Sequence, residues 1–221
     1  FSYARKTKIE GLNLGGNVKI IHRRVGDFAR SWGFGIDAGA QYKWKKMKFG
    51  AVIRDASSTF NAWIFDINQD TKDVFLATGN ALPENGLELT LPRIILGAYR
   101  NWELGQKGFS LAGEVDFDIT TDRNRNTIIS SKVFSIDPHA GISFGFKSIA
   151  YVRAGVSNLQ YVKEFDDSRK LNLQPAIGVG LNIKNFSLDY AFTNVGGTSV
   201  ALYSNVVSLR IRLDKPNNSI K

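Results

Sequence analysis

The chain of 221 residues contains no cysteine, and this absence excludes several classes of function. Without a thiol there is no disulfide scaffold, no cysteine-ligated zinc site, no iron–sulfur cluster and no cysteine nucleophile. Histidine is scarce as well, because His22 and His139 are the only two. A metal site built from two or three histidines is therefore nearly excluded.

Long apolar runs are also missing. No run approaches the roughly 18 residues that a transmembrane helix needs. The chain opens with Phe1-Ser-Tyr-Ala-Arg-Lys, without an initiator methionine or the apolar core of a signal peptide. This opening is typical of the middle of a strand. We therefore expect the chain to be a fragment whose native N-terminus and any signal sequence are missing.

Positive charge is in excess but is not concentrated in any segment. The formal net charge is +9 at pH 7, which indicates a nucleic acid or an anionic membrane surface as partner. The charges are spread at intervals of two residues, and basic blocks are absent. This spacing favours outer-membrane lipid as the partner and argues against nucleic acid.

Strict alternation of apolar and polar residues is the dominant pattern. In residues 32–44 the even positions are apolar or aromatic, and the odd positions are glycine or polar. The same pattern predicts about eleven strands: 1–8, 12–23, 32–44, 47–56, 87–100, 108–120, 133–146, 148–158, 170–183, 186–194 and 201–213.

The length of these strands separates a membrane protein from a soluble one. Most have about 9–14 residues, whereas strands of soluble proteins usually have about 5–6. About 9–11 tilted residues cross a bilayer. We therefore predict an all-β chain that forms a single domain over 1–221, a transmembrane antiparallel β-barrel.

The connections between the predicted strands alternate in length. Short connections are predicted near 9–11, 45–46, 101–107, 147 and 184–185. Longer, polar connections are predicted near 24–31, 57–86, 121–132, 159–169 and 195–200. Outer-membrane barrels have this pattern, with tight periplasmic turns and long extracellular loops. The C-terminus is then periplasmic.

The directions of the strands predict that some strands are missing. Strands 1–8 and 201–213 run in the same direction, whereas bacterial barrels have an even number of strands with both termini periplasmic. An odd number of upstream strands is therefore expected. Three more strands would give fourteen.

Nine charged residues fall on the polar side of the strands. A lysine or arginine that faces lipid at the midplane costs roughly 2–4 kcal/mol, and turning the whole set outward would be very costly, so we expect all nine to line the lumen. They are Lys19, Asp37, Arg54, Arg93, Glu114, Asp116, Asp137, Arg153 and Asp189. Four of them are expected to hold the lumen closed by mutual pairing: Arg93, Glu114, Arg153 and Asp189. Six aromatic residues near strand ends are expected to form interfacial girdles: Trp32, Tyr42, Trp44, Trp102, Phe109 and Tyr151.

Two clusters of polar residues suggest chemistry only superficially. The first has the residue types of a catalytic triad on one strand: Ser135, Asp137 and His139. Successive residues on one face lie about 7 Å apart, so direct hydrogen bonds among them would be strained. The second resembles a calcium site but lacks the glycine and terminal glutamate of an EF-hand loop: Asp116, Asp118 and Asp122. We therefore predict no enzyme activity, no cofactor and no metal.

The segment 57–86 is unusually apolar for an extracellular loop and needs cover. A short helix is predicted over 70–78, capped by Asn68 or Asp70 and ended by Gly79. The loop can pack on its own barrel, dock a partner or receive a hydrophobic ligand. Four residues are the expected docking contacts: Trp63, Phe65, Phe75 and Leu76. Further along, Pro92 interrupts the strand 87–100 and shifts its phase, which predicts a kink.

Several segments resemble the PorV/PorQ family of outer-membrane proteins of Bacteroidetes-type bacteria. They are Asn17-Val-Lys-Ile-Ile, Gly50-Ala-Val-Ile-Arg-Asp, Leu91-Pro-Arg-Ile-Ile-Leu-Gly-Ala, Leu188-Asp-Tyr-Ala-Phe and Ser208-Leu-Arg-Ile-Arg-Leu. That family is similar in fold to the fourteen-stranded FadL transporters. The resemblance implies that this chain corresponds to the C-terminal two-thirds of a family member. The N-terminal strands and the plug would then be absent.

The resemblance also implies a function, which we state as an expectation. A PorV-like protein is an adaptor or shuttle of type IX secretion that binds a large translocon barrel and secreted cargo. A related role in gliding or surface attachment is the expected variation. The alternative is a FadL-like transporter of hydrophobic small molecules, which needs an apolar pocket and a route through the wall at Pro92.

Overall fold

The computed structural model describes residues 1–105, 107–121, 127–163, 168–194 and 203–213. These residues form fourteen strands and one helix, α1 (Gln69–Ala77). The strands are β1 (Ser2–Lys6), β2 (Leu12–Val25), β3 (Ala29–Trp44), β4 (Met47–Arg54), β5 (Thr59–Phe65), β6 (Gly86–Thr90), β7 (Arg93–Leu104), β8 (Phe109–Thr120), β9 (Ile129–Ser130), β10 (Ser135–Phe146), β11 (Ala150–Lys163), β12 (Arg169–Ile183), β13 (Phe186–Thr193) and β14 (Ser204–Ile211).

One antiparallel sheet contains all of the strands. Its main path is β1-β2-β3-β4-β7-β8-β10-β11-β12-β13-β14, with β5 paired to β3 and β6, and β9 paired to β10. Every one of the eleven predicted strands contributes to this path. The prediction of an all-β antiparallel fold is confirmed. Within the described residues, β1 and β14 do not pair with each other, so the sheet has two free edges.

The hairpin of β2 and β3 is longer than predicted. Its ladder runs from Leu12 opposite Tyr42 to Val25 opposite Ala29. Only residues 26–28 connect the two strands, and Gly26 supports the turn with a φ of +55°. The long connection predicted at 24–31 is therefore wrong. Arg24 and Arg30 lie in the ladder at the exposed end of the hairpin, where their side chains remain in contact with water.

The segment 57–86 is a hairpin with a helix at its tip, so the prediction of a loop is wrong where β5 forms and holds only around the helix. β5 pairs with β3 above the point where β4 ends, and β6 pairs with β5. β4 and β5 therefore follow the same edge of β3. The residues between them form a bulge in which Asp55 and Ser58 adopt positive φ angles of 53° and 56°. Because this bulge keeps the chain beside β3, the apolar residues that follow it become a strand.

The interruption predicted at Pro92 is present. β6 ends at Thr90 and β7 begins at Arg93, after which β7 pairs with β4. A proline has no backbone N–H to donate to a ladder, so it fits where pairing stops. The break lies level with the bulge at 55–58 on the neighbouring strand, because Thr59 pairs with Thr90 and Arg54 with Arg93.

The predicted helix is also present, as α1. Its N-cap is Asn68, whose side-chain oxygen accepts the backbone N–H of Thr71 at 2.9 Å. The helix ends at Thr78, and Gly79 follows with a φ of +70°, a conformation that glycine adopts readily. No helix in the described ranges is long and apolar enough to cross a membrane.

Burial is inverted relative to a soluble domain. Among the described residues, the only buried hydrophobic side chains are Ala29 and Ala112. The buried polar and charged residues are more numerous: Ser31, Thr59, Asn61, Asp118, Thr120, Thr127, Ser135, Ser187 and Asn194. Large apolar side chains are exposed along the whole main path. The sheet therefore has no hydrophobic core of the usual kind, and its apolar residues form an outer surface.

A glycine substitution tests the pairing of β3 with β5. A Cβ atom at Gly33 would lie 2.9 Å from the Cγ of the fully buried Asn61, whereas no atom lies within 4 Å of a Cβ at Gly50. We expect Gly33→Ala to lower the free energy of unfolding by about 1–3 kcal/mol, because overpacking forces the two strands apart. Gly50→Ala is the matched control and should be neutral. Urea unfolding in detergent micelles, followed by tryptophan fluorescence, measures both, and equal midpoints would contradict the prediction.

Candidate functional site

The candidate site is the polar face of the sheet. Residues that are directly opposite in a ladder point to the same side, so the registers assign each residue to a face. They place all nine charged residues expected in the lumen on one face. The alternation in the sequence therefore correctly predicts that these nine side chains share one face of the sheet.

Strand β8 shows the contrast between the two faces. One face carries Ser110, Ala112, Glu114, Asp116, Asp118 and Thr120. The other carries Phe109, Leu111, Gly113, Val115, Phe117 and Ile119. We call these sides the polar face and the apolar face of the sheet. Because neighbouring strands keep the same register, each face is continuous across the main path.

Aromatic residues collect at the end of the sheet where the connections are short. Trp44, Trp102, Phe109 and Phe146 all lie on the apolar face there, by register. The rings of Phe109 and Phe146 are 4.9 Å apart. Trp32 lies on the same face near the other end, 4.5 Å from the ring of His22. Tyr151 departs from the expected girdle, because it lies on the polar face with the guanidinium of Arg153 5.2 Å above its ring.

A lysine joins three segments of the polar face. The Nζ atom of Lys19 lies 2.7 Å from Asp37 Oδ1 and 2.5 Å from Asp55 Oδ1. The backbone N–H of Asp55 donates to Asp37 Oδ1 at 2.9 Å, and the hydroxyl of Thr59 donates to the Asp55 carboxylate. Lys19 therefore connects β2, β3 and the bulge between β4 and β5. Sequence reasoning placed Lys19 and Asp37 on the polar face but missed Asp55, which belongs to no regular strand.

Only two of the four residues expected to close the lumen by mutual pairing pair with each other. Arg153 donates to Asp189, so these two pair as expected. Arg93 donates through Nε and a terminal nitrogen to Asp118, which the expected network did not include. Glu114 lies opposite Tyr99 and Gly141 and has no ion pair within the described part of the chain. A cavity of about 580 Å³ on this face includes Glu114, Arg153 and Asp189 in its lining.

The triad-like residues do not form a hydrogen-bonded chain. His139 Nε2 lies 3.8 Å from Asp137 and 3.6 Å from Asp118. The hydroxyl of Ser135 is buried without a hydrogen-bond partner, opposite Thr120. The described residues hold no group of three or more histidine or acidic side chains arranged to bind a metal. Asp122, one member of the calcium pattern, lies outside the described residues.

The four expected docking residues divide between a strand and the helix. Trp63 and Phe65 lie on β5 with ring centroids 6.1 Å apart. The indole N–H of Trp63 donates to Glu88 at 2.9 Å, which holds this ring against β6. Phe75 is half-buried on α1, whereas Leu76 is 63% exposed there.

Further exposed apolar residues lie on the hairpin of β5 and β6, beside the four expected docking residues. They share the apolar face: Phe60, Ile64, Leu87 and Leu89. Alternation around Leu87 and Leu89 predicts the strand that contains β6, whereas residues 62–65 of β5 do not alternate.

Comparison with known proteins identifies no relative of this chain. No protein-family model, no curated protein and no solved structure matches it. Arguments about its function therefore depend on the geometry of the two faces and of the hairpin.

Removing the charge of Lys19 tests the cluster around it. In Lys19→Met the carboxylates of Asp37 and Asp55 lose their shared cation and repel each other. Both side chains are largely buried, so water screens this repulsion only weakly. We expect a loss of about 2–3 kcal/mol, less than for a fully buried pair because Lys19 is partly exposed. Urea unfolding measures the loss.

Two further variants separate charge from packing. Lys170→Met removes an exposed lysine from the same face and should be nearly neutral. Adding Asp37→Asn and Asp55→Asn to Lys19→Met should restore much of the lost stability, because the repulsion is removed. If the triple variant is as unstable as Lys19→Met, repulsion is not the cause.

Proposed function

We propose that the chain forms part of the wall of a transmembrane β-barrel in a bacterial outer membrane. The observation that carries this proposal is the inverted burial of the sheet. Polar and charged side chains occupy the sheltered positions, while large apolar side chains are exposed along every strand of the main path. In this arrangement the polar face lines an aqueous lumen and the apolar face contacts lipid.

Energetics favour lipid as the cover for the apolar face. Removing one large apolar side chain from water contributes about 1.5–3 kcal/mol. The described chain exposes dozens of such side chains but buries only Ala29 and Ala112 among its hydrophobic residues. A bilayer covers this surface over all eleven strands of the path, whereas a protein partner covers one part of it.

The directions of the strands determine how many more strands a closed barrel would need. The main path has eleven strands with antiparallel neighbours, so β1 and β14 run in the same direction. An even-stranded antiparallel barrel therefore needs an odd number of additional strands between these edges. Three would complete a fourteen-stranded, FadL-like barrel. In this proposal the short turns and the C-terminus are periplasmic, as in other outer-membrane barrels.

The proposed activity is that of a non-enzymatic adaptor in type IX secretion or in the associated gliding and attachment machinery. The hairpin of β5 and β6, with α1 at its tip, supports this role. It leaves the main path at Pro92 and exposes Val74 and Leu76 on the helix. The sequence resemblance to the PorV/PorQ family supplies the kind of partner, a large translocon barrel or secreted cargo.

Transport of hydrophobic small molecules is the second candidate function. Two observations favour it. The paired breaks at 55–58 and Pro92 interrupt two neighbouring strands at the same level. The cavity on the polar face offers space inside the proposed lumen. A transporter of this type needs both a route through the wall and an internal site.

A pair of valines tests whether the apolar face contacts lipid. Val115 lies on the apolar face and Val52 on the polar face, with similar exposures of 43% and 37%. We expect Val115→Lys to cost about 2–4 kcal/mol and to reduce recovery from the outer membrane, because its charge faces the bilayer core. Val52→Lys is the matched control and should assemble normally. Equal, normal recovery of both variants in a soluble fraction would contradict the membrane proposal.

The adaptor role is tested by purification of the full-length tagged protein from native membranes in mild detergent. Mass spectrometry should identify a large translocon barrel or secreted cargo with it. Leu76→Gln should reduce this recovery, because it removes an exposed apolar contact on α1. Ile9→Gln makes the same change at an exposed position in a short turn and should not affect recovery. Recovery of the protein with fatty acids and no protein partner would contradict the adaptor and favour the transporter.

A further inference from the structure

Every short connection at one end of the sheet carries lysine. We call these residues the lysine rim: Lys8, Lys45, Lys46, Lys107, Lys147 and Lys184. All six are exposed. Glu10 is the one carboxylate among the described residues of these turns.

The opposite end of the sheet has the reverse balance of charge. Its described connections contain five acidic residues: Asp27, Asp66, Asp70, Asp73 and Glu84. The same connections contain two lysines, Lys72 and Lys132. Among the connections, lysine is therefore concentrated at the end with tight turns, whereas the cations of the opposite end include arginines at the strand ends, Arg23, Arg24 and Arg30.

Two contacts show which face of the sheet the lysine rim lies beside. The Nζ atom of Lys45 lies 4.9 Å from the centroid of the Trp44 ring, and that of Lys147 lies 5.2 Å from the Phe146 ring. Both rings belong to the apolar face. These ammonium groups are therefore at the edge of the apolar face, away from the polar face. In a membrane this level is the headgroup layer, where cations and aromatic rings meet lipid phosphates.

In three of these turns lysine occupies a backbone conformation that other residues adopt more readily. Lys45, Lys147 and Lys184 have φ angles of 54°, 50° and 52°. Glycine and asparagine adopt this left-handed conformation at lower cost than lysine does. Three separate turns nevertheless place lysine at the strained position. Since glycine or asparagine would fit these turns at lower cost, the ammonium group is the property that these positions share.

We propose that the lysine rim binds the phosphate groups of anionic phospholipids in the leaflet that it faces. This inference rests on the proposed membrane function. An ammonium group attracts a phosphate electrostatically, and juxtamembrane lysines act additively near an anionic surface. Phosphatidylglycerol is the representative ligand, because it combines an anionic phosphate with the acyl chains that the neighbouring apolar face contacts.

The test uses the full protein reconstituted in phosphatidylcholine bilayers that contain brominated phosphatidylglycerol or brominated phosphatidylcholine. Quenching of tryptophan fluorescence gives the relative affinity for each lipid, and Trp44 and Trp102 lie at the rim. The triple variant Lys45→Asn, Lys147→Asn and Lys184→Asn removes three charges and relieves three strained turns. We expect its preference for phosphatidylglycerol to fall by about fivefold for each lysine removed.

Matched variants separate charge, position and folding. Lys45→Arg, Lys147→Arg and Lys184→Arg together should retain the preference, because they keep the charge. Lys72→Gln, Lys132→Gln and Lys170→Gln together remove the same charge away from the rim and should also retain it. The asparagine variant should unfold in urea no earlier than the wild type, because its turns are less strained.

Each result decides between the possibilities. If the wild type inserts but both brominated lipids quench equally, the rim binds no lipid phosphate and the barrel proposal stands. If the asparagine variant keeps the full preference, the inference is also overturned. If the lysine rim binds an acidic protein instead, the two brominated lipids will quench equally. A protein partner will then be recovered with the wild type in a salt-sensitive way, and it will be lost from the asparagine variant. If the wild type inserts into neither bilayer, the proposed membrane function itself fails.

Discussion

Successive side chains of every strand point to opposite sides of the sheet, and the two sides of this sheet require different surroundings. The register between strands is therefore the constraint on which the rest depends. On β8, a slip of one residue would move Glu114 and Asp116 to the apolar face and Val115 to the polar face. Each neighbouring strand repeats this constraint, since its own residues alternate in the same way. Together they fix one register across eleven strands.

The polar face stabilises this register through pairs that join different strands. Lys19 on β2 reaches Asp37 on β3 and Asp55 in the bulge, and Arg153 on β11 reaches Asp189 on β13. These contacts connect segments that are far apart in the sequence. The side chains around Lys19 are partly buried, whereas those of Arg153 and Asp189 are 40% and 36% exposed. These pairs add to the backbone ladders, which hold neighbouring strands together.

Alternation in the sequence predicts the strands of the main path and the face on which most side chains lie. It fails where its signal is weak or was interpreted too narrowly. β5 was missed because Trp63-Ile64-Phe65 is a continuous apolar run, and its pairing with β3 depends on a bulge that only the three-dimensional ladder reveals. Tyr151 was assigned by its position near a strand end, although its spacing of two from Arg153 already placed both on one face. The partners of charged residues depend on side-chain reach across several strands, so Asp55 and Asp118 could not be chosen from the sequence.

Two breaks in neighbouring strands explain how a regular sheet provides a hairpin beside its main path. Four residues, 55–58, separate β4 from β5, and Leu91 and Pro92 separate β6 from β7. Both breaks lie at the same level of the sheet. β4 therefore pairs with β7 on one side of the breaks, and β5 pairs with β6 on the other side. Pro92 contributes no backbone N–H that pairing would have to satisfy. Below the breaks β4 and β7 pair without interruption, from Met47 opposite Arg100 to Arg54 opposite Arg93.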